Sequence, residues 1–115
     1  MRVTSEFFVS ALVRRVFSNG GFAAVERHGS PEAGAIFIRH RYRDGLEDLY
    51  GPAPQSLVSE EDGDDRRFEL RLERVPGEEV DALIAREGRF DSDLWLVELE
   101  TKSIADLFAL AAGEA

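Results

Sequence analysis

The sequence predicts an α+β domain, a mainly antiparallel sheet of about five strands with helices packed on it, in the order helix, strand, hairpin, strand, helix, strand, helix. Three observations predict it. Residues 5–18 carry apolar side chains at helical spacing. Asp44-Gly45 lies between two strand-like runs, and Asp-Gly in that setting is a strong local hairpin signal. Further short strands follow, separated by tight turns.

Ser5 suits the N-cap of the first helix, and Glu6 places negative charge in its first turn. Phe8, Leu12 and Val16 recur at four-residue spacing, with Val9, Val13 and Phe17 in a parallel row. Arg14 and Arg15 suit the last turn, and Asn19-Gly20-Gly21 ends the helix with residues that tolerate the left-handed conformation. Phe22–Arg27 reads as a short strand, and Gly29-Ser30-Pro31-Glu32 as a turn.

The hairpin follows. A two-residue Asp44-Gly45 loop sets Arg43 opposite Leu46, Tyr42 opposite Glu47, Arg41 opposite Asp48, His40 opposite Leu49 and Arg39 opposite Tyr50. Alternation then places Phe37, Arg39 and Arg41 on one face with Leu46, Asp48 and Tyr50. The other face carries Ile36, Ile38, His40 and Tyr42 with Glu47 and Leu49. The base of the hairpin is apolar on both sides and belongs in the middle of the sheet; the charged tip is expected to project into water.

Residues 51–65 form a long connection, stiff at Pro52 and Pro54 and ending in the acidic cluster Glu60–Asp65. Phe68, Leu70 and Leu72 alternate with charged residues, the pattern of a half-buried strand. Pro76-Gly77 breaks it. Glu78, Glu79 and Asp81 open a second helix, Val80, Leu83 and Ile84 mark its buried side, and Gly88 closes it. Asp93–Glu100 is apolar on both faces in its first half and reads as another inner strand, with Trp95 in the core. Ser103 with Asp106 resembles a capping box, and Ile104, Leu107, Phe108 and Ala111 follow at helical spacing, so a short third helix is expected over 103–112. Residues 1–115 read as one domain, with a core over about 5–101 and a tail over 102–115. A helix of about three turns is marginal alone in water. It needs its own sheet or a second copy of the chain in a homodimer, and its own sheet is favoured because the sequence shows no self-complementary surface.

Composition bounds the chemistry. Fourteen Lys and Arg stand against 23 Asp and Glu, a net charge of −9. A field of that sign disfavours nucleic acid and anionic membrane surfaces. The absence of cysteine removes disulfides, thiol catalysis, iron–sulfur clusters and zinc fingers, and suits a cytoplasmic protein. The N-terminus does not read as a signal peptide, since the apolar run from Phe7 is broken by Arg14 and Arg15. No apolar run approaches the roughly 18 residues of a membrane span.

The Ala33-Gly34-Ala35-Ile36-Phe37 strand, the Asp48–Gln55 segment and the Arg89–Trp95 segment occur in that order. Together they resemble a bacterial family known only as a domain of unknown function, made of small single-domain proteins found chiefly in alphaproteobacteria. The resemblance spans roughly residues 5–101. It implies an intracellular protein and a compact α+β fold, and it brings no assigned activity, cofactor or catalytic residue.

Among the residues themselves, Arg39, His40, Arg41 and Arg43 form a basic tip on an acidic chain. Arg39 and Arg41 share a face and present bidentate donors suited to phosphate or carboxylate. The ordinary alternative is a solvated hairpin end whose arginines pair with neighbouring acids. Tyr50-Gly51-Pro52-Ala53-Pro54-Gln55 offers a stiff binding loop in which Tyr50 and Gln55 supply contacts, or else a rigid connector. The acidic cluster lacks the alternating spacing of a calcium loop, and His28 and His40 stand in no metal or triad motif, so no metal site or cofactor is indicated. The reading is a non-enzymatic interaction or small-ligand-binding domain. Its alternative is a small enzyme acting on an anionic substrate through Arg39, Arg41 and Tyr50, with His40 or Tyr50 moving protons.

Overall fold

The computed structural model describes residues 3–54 and 66–111. Gln55, the acidic cluster Glu60–Asp65 and the last residues of the tail lie outside them.

Helix α1 spans Ser5–Ser18. Its cap is Thr4 rather than Ser5: the Thr4 hydroxyl accepts the Phe7 N–H at 3.1 Å. Ser5 is buried and donates to the Gly34 carbonyl at 2.7 Å, tying the helix start to the strand that begins nearby. At the other end the Gly20 N–H reaches Phe17 O at 3.1 Å and the Gly21 N–H reaches Val16 O at 2.9 Å. This is a Schellman closure, and Gly20 takes the left-handed position at φ +85°.

Strands β1 (Phe22–Arg27), β2 (Ile36–Arg41), β3 (Glu47–Pro52) and β4 (Arg67–Val75) follow. Helix α2 spans Gly77–Phe90 and runs through Gly88, which does not close it. Then come β5 (Trp95–Glu100) and β6 (Ala109–Leu110). The six-stranded sheet has the order β1-β5-β2-β3-β4-β6. It is mixed and not purely antiparallel: three of its five strand pairings are antiparallel, while β5 runs parallel to β2, and β6 parallel to β4. The cause is α2. A strand cannot return parallel without a crossover, and α2 carries the chain back so that β5 enters in the direction of β2. As expected, β2 and β5 are inner strands with apolar residues on both faces.

Each face of the sheet has its own helix. Val9, Leu12 and Val16 of α1 pack with Ile36, Ile38, Tyr50, Trp95, Val97 and Leu99. Val80, Leu83 and Ile84 of α2 pack with Phe37, Leu49, Leu94 and Leu96. The Trp95 indole N–H donates to Ser30 O at 2.8 Å, so its one polar atom is satisfied within the core.

The hairpin differs from expectation by one residue. Arg39 faces Leu49, His40 faces Asp48 and Arg41 faces Glu47. The loop is Arg43-Asp44-Gly45: Tyr42 N–H donates to Leu46 O at 2.9 Å, and Gly45 N–H to Tyr42 O at 3.0 Å. A two-residue turn of the expected type needs positive φ at both Asp44 and Gly45, but only Gly45 has it, at +90°. The three-residue loop uses one left-handed residue instead of two. Asp44 supports it by accepting the Leu46 N–H at 3.0 Å.

Strand β4 also departs from simple alternation. Its register with β3 shifts between Leu49 and Tyr50, so Leu70 packs with the α1-side core while Leu72 packs with the α2-side core.

The expected third helix does not form. Ser103 caps a turn by accepting the Ala105 N–H at 3.1 Å, and Ala109–Leu110 pairs with Arg67–Phe68. Leu107 and Phe108 are buried in the α1-side core, with Phe108 edge-on to both Tyr50 and Phe68 at 5.2 and 5.1 Å. A marginal helix loses to an extended segment that satisfies the β4 edge and buries an aromatic anchor.

Candidate functional site

The register of the hairpin decides what the basic residues do. A one-residue slip exchanges every side chain of one strand between faces. Glu47, not Asp48, therefore lies beside Arg39 and Arg41. One Glu47 oxygen accepts Arg39 Nε at 2.7 Å, and the other accepts Arg41 Nε at 2.9 Å. Arg39 is 5% exposed and Glu47 1% exposed. The remaining Arg39 nitrogens reach Glu26 at 3.1 Å, Asp81 at 2.8 Å and the Gly77 carbonyl at 3.3 Å. Arg39 is thus folded into an ion-pair network at the N-terminus of α2, while Arg43, Asp44 and Gly45 at the tip are exposed, as expected. Burial works to lower the Arg39 pKa, but the Asp81 and Glu47 hydrogen bonds outweigh it and hold the guanidinium charged above its ordinary range.

Glu98 of β5 extends the network. It is buried beside Arg39 in the β2–β5 register, and its carboxylate lies 3.6 Å from Arg41. Glu100 and Glu26 are its acidic neighbours. Burial, reinforced by those two acidic neighbours, pushes its pKa up to about 7 against the pull of Arg41.

The opposite face holds a second polar chain. His40 is buried, and its Nε2 lies 2.8 Å from the Thr101 carbonyl, so that nitrogen carries the proton. The Tyr42 hydroxyl donates to Asp48, whose other oxygen accepts the Arg74 N–H at 2.8 Å. Burial, then the Asp48 hydrogen bond, push the Tyr42 pKa up to about 12. Arg74 stacks on the Tyr42 ring at 4.7 Å, pairs with Asp44, and is held at φ +49°. This assembly locks the hairpin to β4.

The residues singled out from the sequence are therefore divided. Arg39 and Arg41 share the α2 side; Tyr50 is buried on the α1 side against Phe108 and does not join them. Tyr50-Gly51-Pro52 continues strand β3 rather than forming a loop. Gly51 is explained by packing, since a Cβ there would lie 2.8 Å from the Phe37 ring. Gln55 lies outside the described residues.

What the structure does bring together is a cleft at one end of the sheet, of about 720 Å³. The Schellman loop Asn19-Gly20-Gly21 forms one wall, Arg41-Tyr42-Arg43 at the exit of β2 another, and Glu100-Thr101-Lys102 after β5 a third. Arg43 and Lys102 are exposed and have no ion-pair partner among the described residues. Three cations thus meet one carboxylate. The negative pole of α1 points the same way, but its Val16 and Phe17 carbonyls are already taken by the Gly20 and Gly21 N–H groups.

Lys102, Thr101 and the Gly20-Gly21 wall were missed from the sequence, because each comes from a different element and only the sheet order joins them. One signal was available: Glu98 and Glu100 continue the same face of β5 as Leu94 and Leu96, which places charge where the pattern expects core.

Among the described residues, no group of three or more His, Asp and Glu side chains is placed to hold a metal ion. No helix among them is long and apolar enough to cross a membrane.

Fold and cleft together define a small α+β protein whose sheet carries a helix on each face and a basic cleft at one end. The chain belongs to the family described as protein of unknown function DUF1491, whose profile matches residues 3–109. It is similar to the solution structure of protein Atu0922 from A. tumefaciens, with 60% identity over 100% of both chains and a TM-score of 0.86. It is also similar to a DUF1491 family protein from Caulobacter crescentus, seen in a crystal structure (29% identity, 90% of each chain, TM-score 0.73). An NMR structure of a DUF1491 family protein from Caulobacter crescentus gives 27% identity, 96% of each chain and a TM-score of 0.76. No curated protein matches the chain.

Proposed function

We propose that this protein is a non-enzymatic binding domain for a small anionic ligand, seated in the cleft between Gly20-Gly21, Arg41–Arg43 and Thr101-Lys102. The observation that carries the reading is the pair Arg43 and Lys102. They are two exposed cations with no ion-pair partner among the described residues, turned toward one concavity on a chain of net charge −9. Arg39, by contrast, is engaged by the internal acids Glu26, Glu47 and Asp81. Phosphate and carboxylate groups suit such a site, because guanidinium and ammonium donors match their oxygens. Binding is favoured over catalysis by where the proton-transfer candidates lie. His40 spends its Nε2 on Thr101 O, Tyr50 is core, and neither lines the cleft.

Titration with inorganic phosphate and with malonate, followed by amide NMR, tests this. Joint saturable shifts at Gly20, Gly21, Arg41–Arg43, Thr101 and Lys102 are expected, and the Arg43→Ala/Lys102→Ala protein loses them. Shifts scattered over every basic residue would mean simple screening and no site.

A further inference from the structure

We propose that the cleft takes a mononucleotide, with its phosphate on Arg41, Arg43 and Lys102, its sugar hydroxyls on Glu100 and its base on the Phe17–Phe22 pair. The inference rests on the cleft being an anion seat and names the class of ligand that fills it.

Size is the first argument. At about 720 Å³ the cleft falls among small-molecule sites, and one phosphate or carboxylate group fills little of it. Its chemistry is also mixed. Glu100 lines the same concavity as the three cations. A carboxylate only accepts hydrogen bonds, so it repels an anion that brings oxygens alone and suits one that also carries O–H donors.

The sheet order fixes what lies on either side of Glu100. It pairs with Phe22 of β1, and opposite residues on antiparallel strands share a face. On the other side His40 pairs with Leu99, which sets Arg41 next to Glu100. Phe22, Glu100 and Arg41 thus form one row across β1, β5 and β2. Neighbouring strands lie about 4.8 Å apart, so the row spans about 10 Å. Ring, acceptor and cation succeed one another along it, in the order in which a nucleotide presents base, sugar and phosphate.

Phe22 is joined by Phe17. Their rings meet edge-on with centroids 5.9 Å apart, and the side chains are 47% and 51% exposed. They bracket Asn19-Gly20-Gly21, the wall of the cleft. Single exposed apolar side chains are ordinary. Two in contact, at the rim of a cationic cleft, make a platform on which a planar ring stacks. Gly20 and Gly21 carry no side chains, so the wall between the rings and the cations is bare backbone. The net charge of −9 opposes a nucleic-acid chain, with its many phosphates, far more than it opposes one phosphate met by three cations.

Inorganic phosphate, ribose 5-phosphate and adenosine monophosphate are the probes, titrated into the whole chain by calorimetry and amide NMR. Affinity is expected to rise from phosphate to ribose 5-phosphate, and by about fivefold or more again to adenosine monophosphate. The Phe17 and Phe22 signals move with the nucleotide and stay in place with ribose 5-phosphate. Phe22→Ala removes the gain contributed by the base, and Glu100→Ala the gain contributed by the sugar. The three probes and the phenylalanine signals are read on the wild-type protein, so a variant that fails to fold leaves the question decidable. Adenosine monophosphate binding no tighter than ribose 5-phosphate overturns the proposal and leaves the anion seat standing. Tighter nucleotide binding without movement of Phe17 and Phe22, or unaltered in Phe22→Ala, puts the base elsewhere and also overturns it. Absence of shifts at Arg43 and Lys102 with all three probes overturns the proposal and the anion seat together.

Discussion

Arg39 and Glu47 lie on adjacent strands with the guanidinium Nε 2.7 Å from the carboxylate, and both side chains are withdrawn from water. Glu47 also holds Arg41 through its second oxygen. Removing one partner of a buried pair strands the other's charge. Glu47→Ala is therefore expected to destabilise the fold by about 3–5 kcal/mol, measured by urea denaturation. Asp81→Ala removes an exposed partner of the same arginine and should cost less than about 1 kcal/mol. Equal effects from the two substitutions would mean that burial does not set the strength of these pairs.

Gly45 and Gly51 test two separate reasons for glycine. Gly45 sits at φ +90° with open space where a Cβ would go, so Gly45→Val should cost about 1–3 kcal/mol through backbone strain alone. Gly51→Ala should cost about 1–3 kcal/mol by crowding the Phe37 ring. Adding Phe37→Leu is expected to relieve the second lesion and leave the first unchanged. A double-mutant cycle on each pair checks this.

Glu98 makes stability depend on pH. Its folded pKa is raised from 4.5 to about 7, so between those values the folded state binds the proton and the unfolded state does not. The folded state thus keeps its advantage below the unfolded value, and loses it as pH rises through about 7. Glu98→Gln should accordingly gain stability over wild type at about pH 8, by up to about 3 kcal/mol, and gain little at about pH 4. Paired denaturant midpoints at the two pH values provide the measurement, and a gain larger at the acidic end would reverse the assigned direction.

Phe108 anchors the C-terminal segment between Tyr50 and Phe68. Phe108→Ala is expected to destabilise by about 3–5 kcal/mol with no change in molecular mass by light scattering. A smaller loss, accompanied by a fall in mass, would mean that the ring packs against a second chain instead.

Much of the architecture was legible because local chemistry and global fold agree. The Phe8 to Val16 rows, the Gly20-Gly21 stop and the Phe22–Arg27 strand stand where the residues place them. The hairpin was legible in existence but not in register, since Asp44-Gly45 serves a two-residue or a three-residue loop and the choice depends on one backbone angle. That single step moved Tyr50 to the face opposite Arg39 and brought Glu47 onto the face that Arg39 shares with Arg41. The Ile104-Leu107-Phe108-Ala111 spacing suits a helix, but the unpaired edge of β4 decides otherwise, and no local pattern reports an edge. The cleft was illegible for a related reason. Gly20, Arg43 and Lys102 are neighbours only through the sheet order.

The position of β5 between β1 and β2 governs when this chain can fold. Phe22–Arg27 and Ile36–Arg41 are synthesised early, yet they never pair; each waits for Trp95–Glu100 to arrive and fill the gap. A nascent chain that ends before Trp95 has α1, the hairpin and α2 but no strand to join β1 to β2, and it leaves those two strand edges open to any neighbour. Closing the sheet is a late, long-range event whose chain-entropy cost comes before its reward, which makes for slow folding. The same insertion draws Thr101 and Lys102 to the exit of β2, so the cleft comes into being only once the sheet is closed.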